Sequence, residues 1–204
     1  MNSKERFIEL LQSVKREGAQ IEKLISKLEE SGFFTAPAST KYHSSFEGGL
    51  CQHSLNVYDN LSLLCKSRDI QVGEDSLIIC ALLHDMSKMN MYEECVKNTK
   101  VYKPTGGKVD EIGRFDWEAQ KAYKIKEAAD RFVYGNHEQT SLFMISRYIP
   151  LTLEEEVAIL HHMGGVGEDS NRSVQISEVF NRYTFALMLH LADMMATFID
   201  ERIN

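Results

Sequence analysis

The chain has little proline and no closely spaced cysteines, and each shortage excludes a class of protein. Only three prolines occur in 204 residues, so long stretches are free to form uninterrupted helices. The four cysteines include no CxxC pair, which argues against a disulfide framework and against a structural zinc site. No stretch approaches the roughly 20 apolar residues of a membrane span, and residues 1–9 lack the apolar core of a signal peptide. We therefore expect a cytoplasmic protein that has no membrane partner.

An excess of positive charge is also missing. The 23 lysines and arginines are outnumbered by 30 aspartates and glutamates, which gives a formal net charge of −7. Proteins that bind long nucleic acids must neutralise many phosphates, so we do not expect long nucleic acid as a partner. A small phosphate ligand needs only a local cation or a metal ion, so the net charge does not argue against such a ligand.

The spacing of apolar residues predicts helices along most of the chain. They are expected near 3–16, 19–31, 49–67, 74–90, 137–148, 153–163 and 175–202. Thr152 followed by Glu155 is typical of a capping box at a helix start. Residues 91–126 break the pattern and contain a turn at Pro104–Gly107, which predicts a small β-hairpin insert near 92–125. The expected fold class is therefore an all-α bundle with this insert. The expected domain is a single one over 1–204, in which 1–31 form accessory helices.

The most informative stretch is Ala81–Lys88, where an adjacent His84–Asp85 pair ends an apolar run. A buried carboxylate without a partner is strongly unfavourable, and a divalent cation is one of the few partners that relieves this cost. Lys88 follows three residues after Asp85. It is either a phosphate contact or a solvated lysine that faces the carbonyl end of the helix. The pair therefore predicts a metal site.

Further metal-capable side chains lie upstream and downstream of this pair. They are His53, His137, His161, His162 and Asp193. His53 lies near the apolar face of its predicted helix and Asp193 is embedded among apolar residues, so each needs a buried partner. Neutral imidazoles with carboxylates suit one or two ions of Mn, Fe, Co, Ni or Zn. For a single histidine the alternative is a hydrogen-bonded core residue, which is the preferred interpretation of His190. His43 is either a surface residue or a substrate contact.

The order of these residues resembles the HD superfamily of metal-dependent phosphohydrolases. The H…HD…D pattern of that family matches four residues of this chain: His53, His84, Asp85 and Asp193. The likeness covers roughly residues 40–202. Ser87-Lys88 is similar to the HDxGK ending of the family motif, with serine in place of the more permissive glycine.

One subgroup of that family is closest in motif. The segment Ser45–Ser54 resembles the residues before the first histidine in the HD domains attached to certain 3'-5' exoribonucleases. That subgroup has two further histidines in an H…HD…H…HH…D pattern, and here they match His137 and His162. Members with these extra histidines often carry two metal ions, so the resemblance implies a second ion.

The resemblance implies hydrolysis of a small phosphate ester, with a nucleotide as the preferred substrate class. A first divalent ion would be held by four residues: His53, His84, Asp85 and Asp193. A second ion would be held by His137 and His162, with Asp85 bridging. The ions would bind a phosphoryl oxygen and lower the pKa of an attacking water. The expected catalytic residues are Asp85, Lys88 and His161, where Lys88 contacts the phosphate and His161 protonates the leaving group or supports a ligand.

Two other functions stay open at this point. A few members of the family use the same scaffold for oxygen-dependent chemistry on a di-iron centre, and others have lost activity and bind a nucleotide or a partner chain. No Gly-Tyr-Pro motif follows His161–His162, which argues against the cyclic-di-GMP phosphodiesterase branch. The aromatic residues of 91–126 and the apolar faces of the N-terminal helices could pack against a second copy of the chain, so a homodimer is one alternative.

Overall fold

The computed structural model describes the backbone of residues 2–40, 44–164 and 170–202, and the side chains in these ranges apart from those of 170–175. The α-helices in these ranges are α1 (Ser3–Ser13), α2 (Ile21–Glu30), α3 (Gly49–Ser67), α4 (Glu74–Leu83), α5 (His137–Ile145), α6 (Leu153–Leu160), α7 (Ser170–Arg182) and α8 (Thr184–Met195). Three shorter turns accompany them: 3-10 turns at Met86–Asn90 and Ala128–Asp130, and a π turn at Ala196–Asp200. One sequence prediction lies outside the described residues, namely His43 as a surface residue or a substrate contact.

A three-stranded antiparallel sheet interrupts the helices where the hairpin insert was expected. Its strands are β1 (Tyr92–Tyr102), β2 (Lys108–Val109) and β3 (Arg114–Ile125), in the order β1-β3-β2. The pairing of β1 with β3 runs from Tyr92 opposite Ile125 to Tyr102 opposite Phe115. The all-α class is therefore too narrow. The fold is mostly helical with a small sheet. The insert lacks the periodicity of a helix, and the ladder between β1 and β3 supplies the hydrogen bonds that its backbone groups need.

Two of the predicted helices are divided in the structure. The helix expected over 74–90 ends at Leu83, and after His84 the backbone of Asp85 (φ −102°, ψ 20°) leaves helical geometry before a 3-10 turn begins. The helix expected over 175–202 breaks at Tyr183, which has φ −119° and ψ 81°. Periodicity did not reveal either break, because apolar residues continue on both sides of it.

The N-terminal helices cover one side of a continuous core. Helix α3 packs against α4 and α8, and α1 packs against α3 and α4. The side chains of Phe7, Leu11, Leu24 and Leu28 are fully buried, and each such burial contributes about 1.5–3 kcal/mol. None of the described helices combines the length and the apolar character needed to cross a bilayer.

Glu155 joins the N-terminal segment to α6. Its fully buried carboxylate accepts hydrogen bonds from both terminal nitrogens of Arg16, at 2.9 and 2.6 Å, and from Ser76 Oγ at 2.7 Å. It also closes the predicted capping box with Thr152. Burial raises the pKa of Glu155, but the Arg16 guanidinium and the other donors outweigh burial and hold it below its usual value.

Candidate metal centre

Five helical segments bring metal-capable side chains to one place. His53 projects from the second turn of α3, and His84 and Asp85 lie where α4 ends. His137 is the first residue of α5, while Asp193 lies in the last turn of α8. His162, just beyond the end of α6, completes the set. Among the described residues, three overlapping groups have donor atoms within 4.8 Å of one another, and together they contain all six side chains that the sequence nominated as ligands.

Asp85 lies at the middle of the cluster and its two oxygens face different histidines. Its Oδ2 is 3.8 Å from His53 Nε2 and 3.5 Å from His84 Nε2. Its Oδ1 is 3.8 Å from His137 Nε2 and 3.5 Å from His162 Nε2. One carboxylate is therefore shared between two pairs of imidazoles.

Asp193 supplies the second carboxylate. Its Oδ1 lies 3.1 Å from His53 Nε2, and it belongs to the group formed with His84 and His162. The imidazole rings pack edge to face, with centroids 4.8 Å apart for His84 and His162 and 5.3 Å apart for His137 and His162. The donors thus form one contiguous cluster.

Hydrogen bonds at Nδ1 set the orientation of the imidazoles. His84 Nδ1 lies 2.9 Å from the carbonyl oxygen of Ala81, and His162 Nδ1 lies 2.7 Å from that of Ile159. A carbonyl oxygen only accepts, so Nδ1 carries the proton and donates it. In the neutral ring Nε2 then presents a lone pair toward the cluster, which is the state that a metal-binding imidazole needs.

Several atoms that face the centre have no hydrogen-bond partner among the described residues. They are His84 Nε2, His137 Nε2, His162 Nε2 and Asp85 Oδ1, all buried. A buried polar atom left without a partner costs about 1–3 kcal/mol. A divalent transition-metal ion would satisfy nitrogen lone pairs and a carboxylate oxygen together, so the donor set fits such an ion.

The pKa values of the cluster separate neutral ligands from charged ones. Burial lowers the pKa of His84 to about 4, and it also lowers the pKa of His137. Burial alone would raise the pKa of Asp85, but the charges of Lys88 and His84 hold it well below its usual value. At neutral pH the centre therefore contains a carboxylate beside neutral imidazoles, as metal ligation demands.

His53 and His162 behave in the opposite way. Burial lowers the pKa of both rings, but hydrogen bonds to Asp193 and Glu201 raise that of His53 to about 10, and Asp85 raises that of His162. His53 is therefore protonated at neutral pH and balances the charge of its neighbouring carboxylates, whereas for His162 the Asp85 carboxylate favours the protonated form. A bound cation would take over the role of the His53 charge and displace its proton.

Lys88 lies at the edge of the cluster. Its Nζ is 2.6 Å from Asp85 Oδ2, and its side chain is only 13% exposed. Burial lowers the pKa of Lys88, but Asp85 raises it above the usual value. The structure therefore places this lysine as a fixed cation beside the donors, and not as a solvated residue at a helix end.

The two remaining histidines of this region lie outside the groups of close donors. His161 is half-buried at the end of α6, and its role as proton donor stays a prediction. His190 Nδ1 lies 2.6 Å from the carbonyl oxygen of His162, and its ring stacks on Phe180 with centroids 5.4 Å apart. His190 therefore supports the backbone beside His162, in agreement with the structural role preferred from the sequence.

Sequence reasoning missed two carboxylates of the described region: Glu138, whose Oε2 lies 3.3 Å from His137 Nδ1, and Glu201, whose side chain is 4% exposed. Glu201 lies beside His53. Its Oε1 accepts a hydrogen bond from His53 Nδ1 at 2.9 Å, so it orients that imidazole as the carbonyls orient the others. In an ideal α-helix, Asp200 would lie two turns after Asp193 and on the same face of the helix. The π turn at Ala196–Asp200 adds one residue to that path and brings Glu201 to the face instead. The sequence shows no sign of this turn.

No family model, curated protein or solved structure matches this chain.

Proposed function

We propose that this protein is a metal-dependent phosphohydrolase with the helical bundle of the HD superfamily, and that it hydrolyses a small phosphate ester such as a nucleotide. The observation that carries the proposal is the convergence of four imidazole Nε2 atoms on the two oxygens of Asp85. The likeness in residue order supports the same assignment, since every residue of the H…HD…H…HH…D pattern except His161 belongs to the cluster of close donors.

Two sets of residues would hold the ions. The first set is His53, His84, Asp85 and Asp193. The second is His137 and His162, with Asp85 shared because its Oδ2 faces His53 and His84 while its Oδ1 faces His137 and His162. When bound by these residues, divalent ions would supply Lewis-acid stabilisation of a phosphoryl oxygen and a water of lowered pKa as the nucleophile.

The protein side chains supply charge and orientation for this reaction. Lys88 retains its proton at neutral pH because its pKa is raised, so it acts as a fixed cation and not as a base. From its position beside Asp85 it can contact a phosphate oxygen and offset the negative charge that develops during transfer. Glu201 and the Ala81 and Ile159 carbonyls hold the imidazoles in place. His161 is the proposed proton donor to the leaving group.

The first experiment is metal analysis of the purified protein by elemental mass spectrometry, together with phosphate release from p-nitrophenyl phosphate and from nucleoside monophosphates. The variant is Asp85→Ala, and the matched control is Asp59→Ala, an exposed carboxylate on α3 that pairs with Arg6. We expect transition metal and hydrolysis in the wild type and in the control, and neither in Asp85→Ala. Far-UV circular dichroism checks that the helices remain.

Other results would redirect the assignment. Iron with consumption of dioxygen and no phosphate release would favour a di-iron oxygenase. Bound metal or nucleotide without turnover would favour a non-catalytic module. Absence of metal, even after reconstitution with manganese, iron, cobalt, nickel or zinc, would refute the proposal.

A further inference from the structure

A pair of buried serines joins the turn that carries Asp85 to the helix that carries His137. Ser87 and Ser141 are 3% and 0% exposed. Ser87 Oγ donates to the carbonyl oxygen of His137 at 3.0 Å, and the Ser87 N–H donates to Ser141 Oγ at 3.0 Å. Ser141 Oγ in turn donates to Ser87 Oγ at 3.1 Å. The three bonds form a closed seam between the 3-10 turn at Met86–Asn90 and the first turn of α5.

The seam satisfies groups that would otherwise lack partners. The N–H groups in the first turn of a helix have no acceptor within that helix, and Ser141 Oγ supplies one for Ser87. Both hydroxyl protons are used within the seam, one toward Ser87 Oγ and one toward the His137 carbonyl. A buried polar seam with all of its protons used is rigid, because any shift leaves a donor without an acceptor.

His137 is held by this seam through its carbonyl oxygen, and its Nδ1 lies 3.3 Å from Glu138 Oε2. None of the residues in the described stretch 126–136, which leads into α5, is buried. The chain before His137 therefore provides little packing that could hold it. His137 is also the only half-buried member of the six candidate ligands, with a side chain that is 23% exposed. Ser87 lies two residues after Asp85, and Ser141 lies one turn after His137.

We infer that Ser87 and Ser141 are positioning residues that set the affinity of the second metal position, the one formed by Asp85, His137 and His162. This inference rests on the proposed metal-dependent function. The seam holds the backbone of His137 at a fixed distance from the loop of Asp85, and so keeps His137 Nε2 within 3.8 Å of Asp85 Oδ1. The first position has no ligand on α5, and the Asp85 oxygen that faces it is also held by Lys88 Nζ at 2.6 Å, so we expect the seam to act on the second position.

The seam depends on the hydroxyl group of the serine that this chain has at position 87. The HDxGK ending that the motif resembles has glycine there, and glycine can offer the backbone N–H but no hydroxyl. In this chain the serine adds the bond to the His137 carbonyl and the acceptor for Ser141. The hydroxyl of Ser87 therefore links His137 to the turn that carries Asp85, and a glycine at this position could not form this contact.

The test measures the two metal affinities separately. Ser87→Ala and Ser141→Ala each remove one hydroxyl of the seam. Ser146→Ala is the matched control, because Ser146 lies at the end of the same helix and its exposed hydroxyl donates to the Phe143 carbonyl, away from the seam. Metal-free protein is titrated with Co²⁺ by calorimetry, bound metal is counted by elemental analysis, and the Tm of the metal-free protein is recorded.

We expect the Kd of the second Co²⁺ ion to rise about 10–100-fold in both seam variants, the range typical for partners that orient metal ligands. The Kd of the first ion should stay at its wild-type value, as should both values in Ser146→Ala. A role limited to folding would lower Tm and leave the ratio of the two Kd values unchanged, and that result would overturn the inference. Binding of a single ion by the wild type would also overturn it while leaving the proposed function intact. Binding of no ion would remove both.

Discussion

Glu201 offers the sharpest test of how the centre is held, because it orients a ligand without belonging to the ligand set. Its carboxylate accepts three hydrogen bonds: from His53 Nδ1 at 2.9 Å, from Asn56 Nδ2 at 3.0 Å and from Ser44 Oγ at 2.6 Å. Burial raises the pKa of Glu201, but its bond to His53 outweighs burial and lowers it, so the group is an anion at neutral pH. This anion makes the His53 ring a stronger donor toward a cation.

The size of the effect follows from which bonds each variant keeps. In Glu201→Gln the amide oxygen can still accept from His53 Nδ1, but the negative charge is gone. In Glu201→Ala the acceptor is also gone and the ring loses its fixed orientation. Loss of such partners costs about 10–100-fold in metal affinity. We therefore expect about a tenfold weaker Kd for Glu201→Gln, near 1.4 kcal/mol, and about 100-fold for Glu201→Ala.

The assay is competition for Co²⁺ against a chromophoric chelator of known affinity. Asp200→Asn is the matched control, since Asp200 is the neighbouring carboxylate and bonds to Asn60, which is not a candidate ligand. Its Kd should equal that of the wild type. Wild-type affinity in both Glu201 variants would show that the hydrogen bond to His53 does not support a metal ligand, and the reasoning would be refuted.

Three further predictions concern separate parts of the molecule. His137→Ala should lower the bound metal from about two ions per chain toward one, by elemental analysis; unchanged stoichiometry would remove His137 from the ligand set. Lys88→Met should keep the metal content but lower kcat about 10²–10³-fold, and a normal kcat would exclude Lys88 from catalysis. Glu155→Gln should lower the free energy of unfolding at pH 7 by about 3 kcal/mol, since it leaves the Arg16 guanidinium unpaired, whereas Glu154→Gln at an exposed position should not. The folded-state pKa of Glu155 lies below its ordinary value, so its contribution is complete above the unfolded pKa and is lost as pH falls through the folded one. Urea unfolding should therefore show a weaker loss of stability on acidification in Glu155→Gln, and an equal loss in both proteins would contradict the ion-pair account.

Local patterns in the sequence were sufficient to nominate the candidate ligands. The His84–Asp85 pair at the end of an apolar run and Asp193 among apolar residues both mark buried charge, which needs a partner wherever the helices lie. The bounds of α3 agree with the predicted helix over 49–67, and the capping box at Thr152 is present. These features depend on neighbours within one or two turns of the chain, so they are readable before the fold is known.

The breaks and the sheet were harder to predict. The hairpin was expected from its turn residues, but the pairing of β1 with β3 over their whole length was not. The break at Tyr183 lies within continuous apolar periodicity, so tertiary packing and not local preference decides it. The same holds for the departure of Asp85 from helical geometry, which turns Lys88 toward Asp85 and away from solvent.

The sequence by itself determined which side chains are able to bind a metal and that they must be buried, because residue chemistry and apolar spacing are local properties. Only the tertiary structure decided how these side chains are arranged. It divided the two oxygens of Asp85 between two pairs of histidines, and it aligned the Nε2 lone pairs through acceptors at Nδ1. Through one π turn, it also brought Glu201 behind His53. Each of these depends on the direction of a side chain across packed helices, and residue spacing carries no record of that direction.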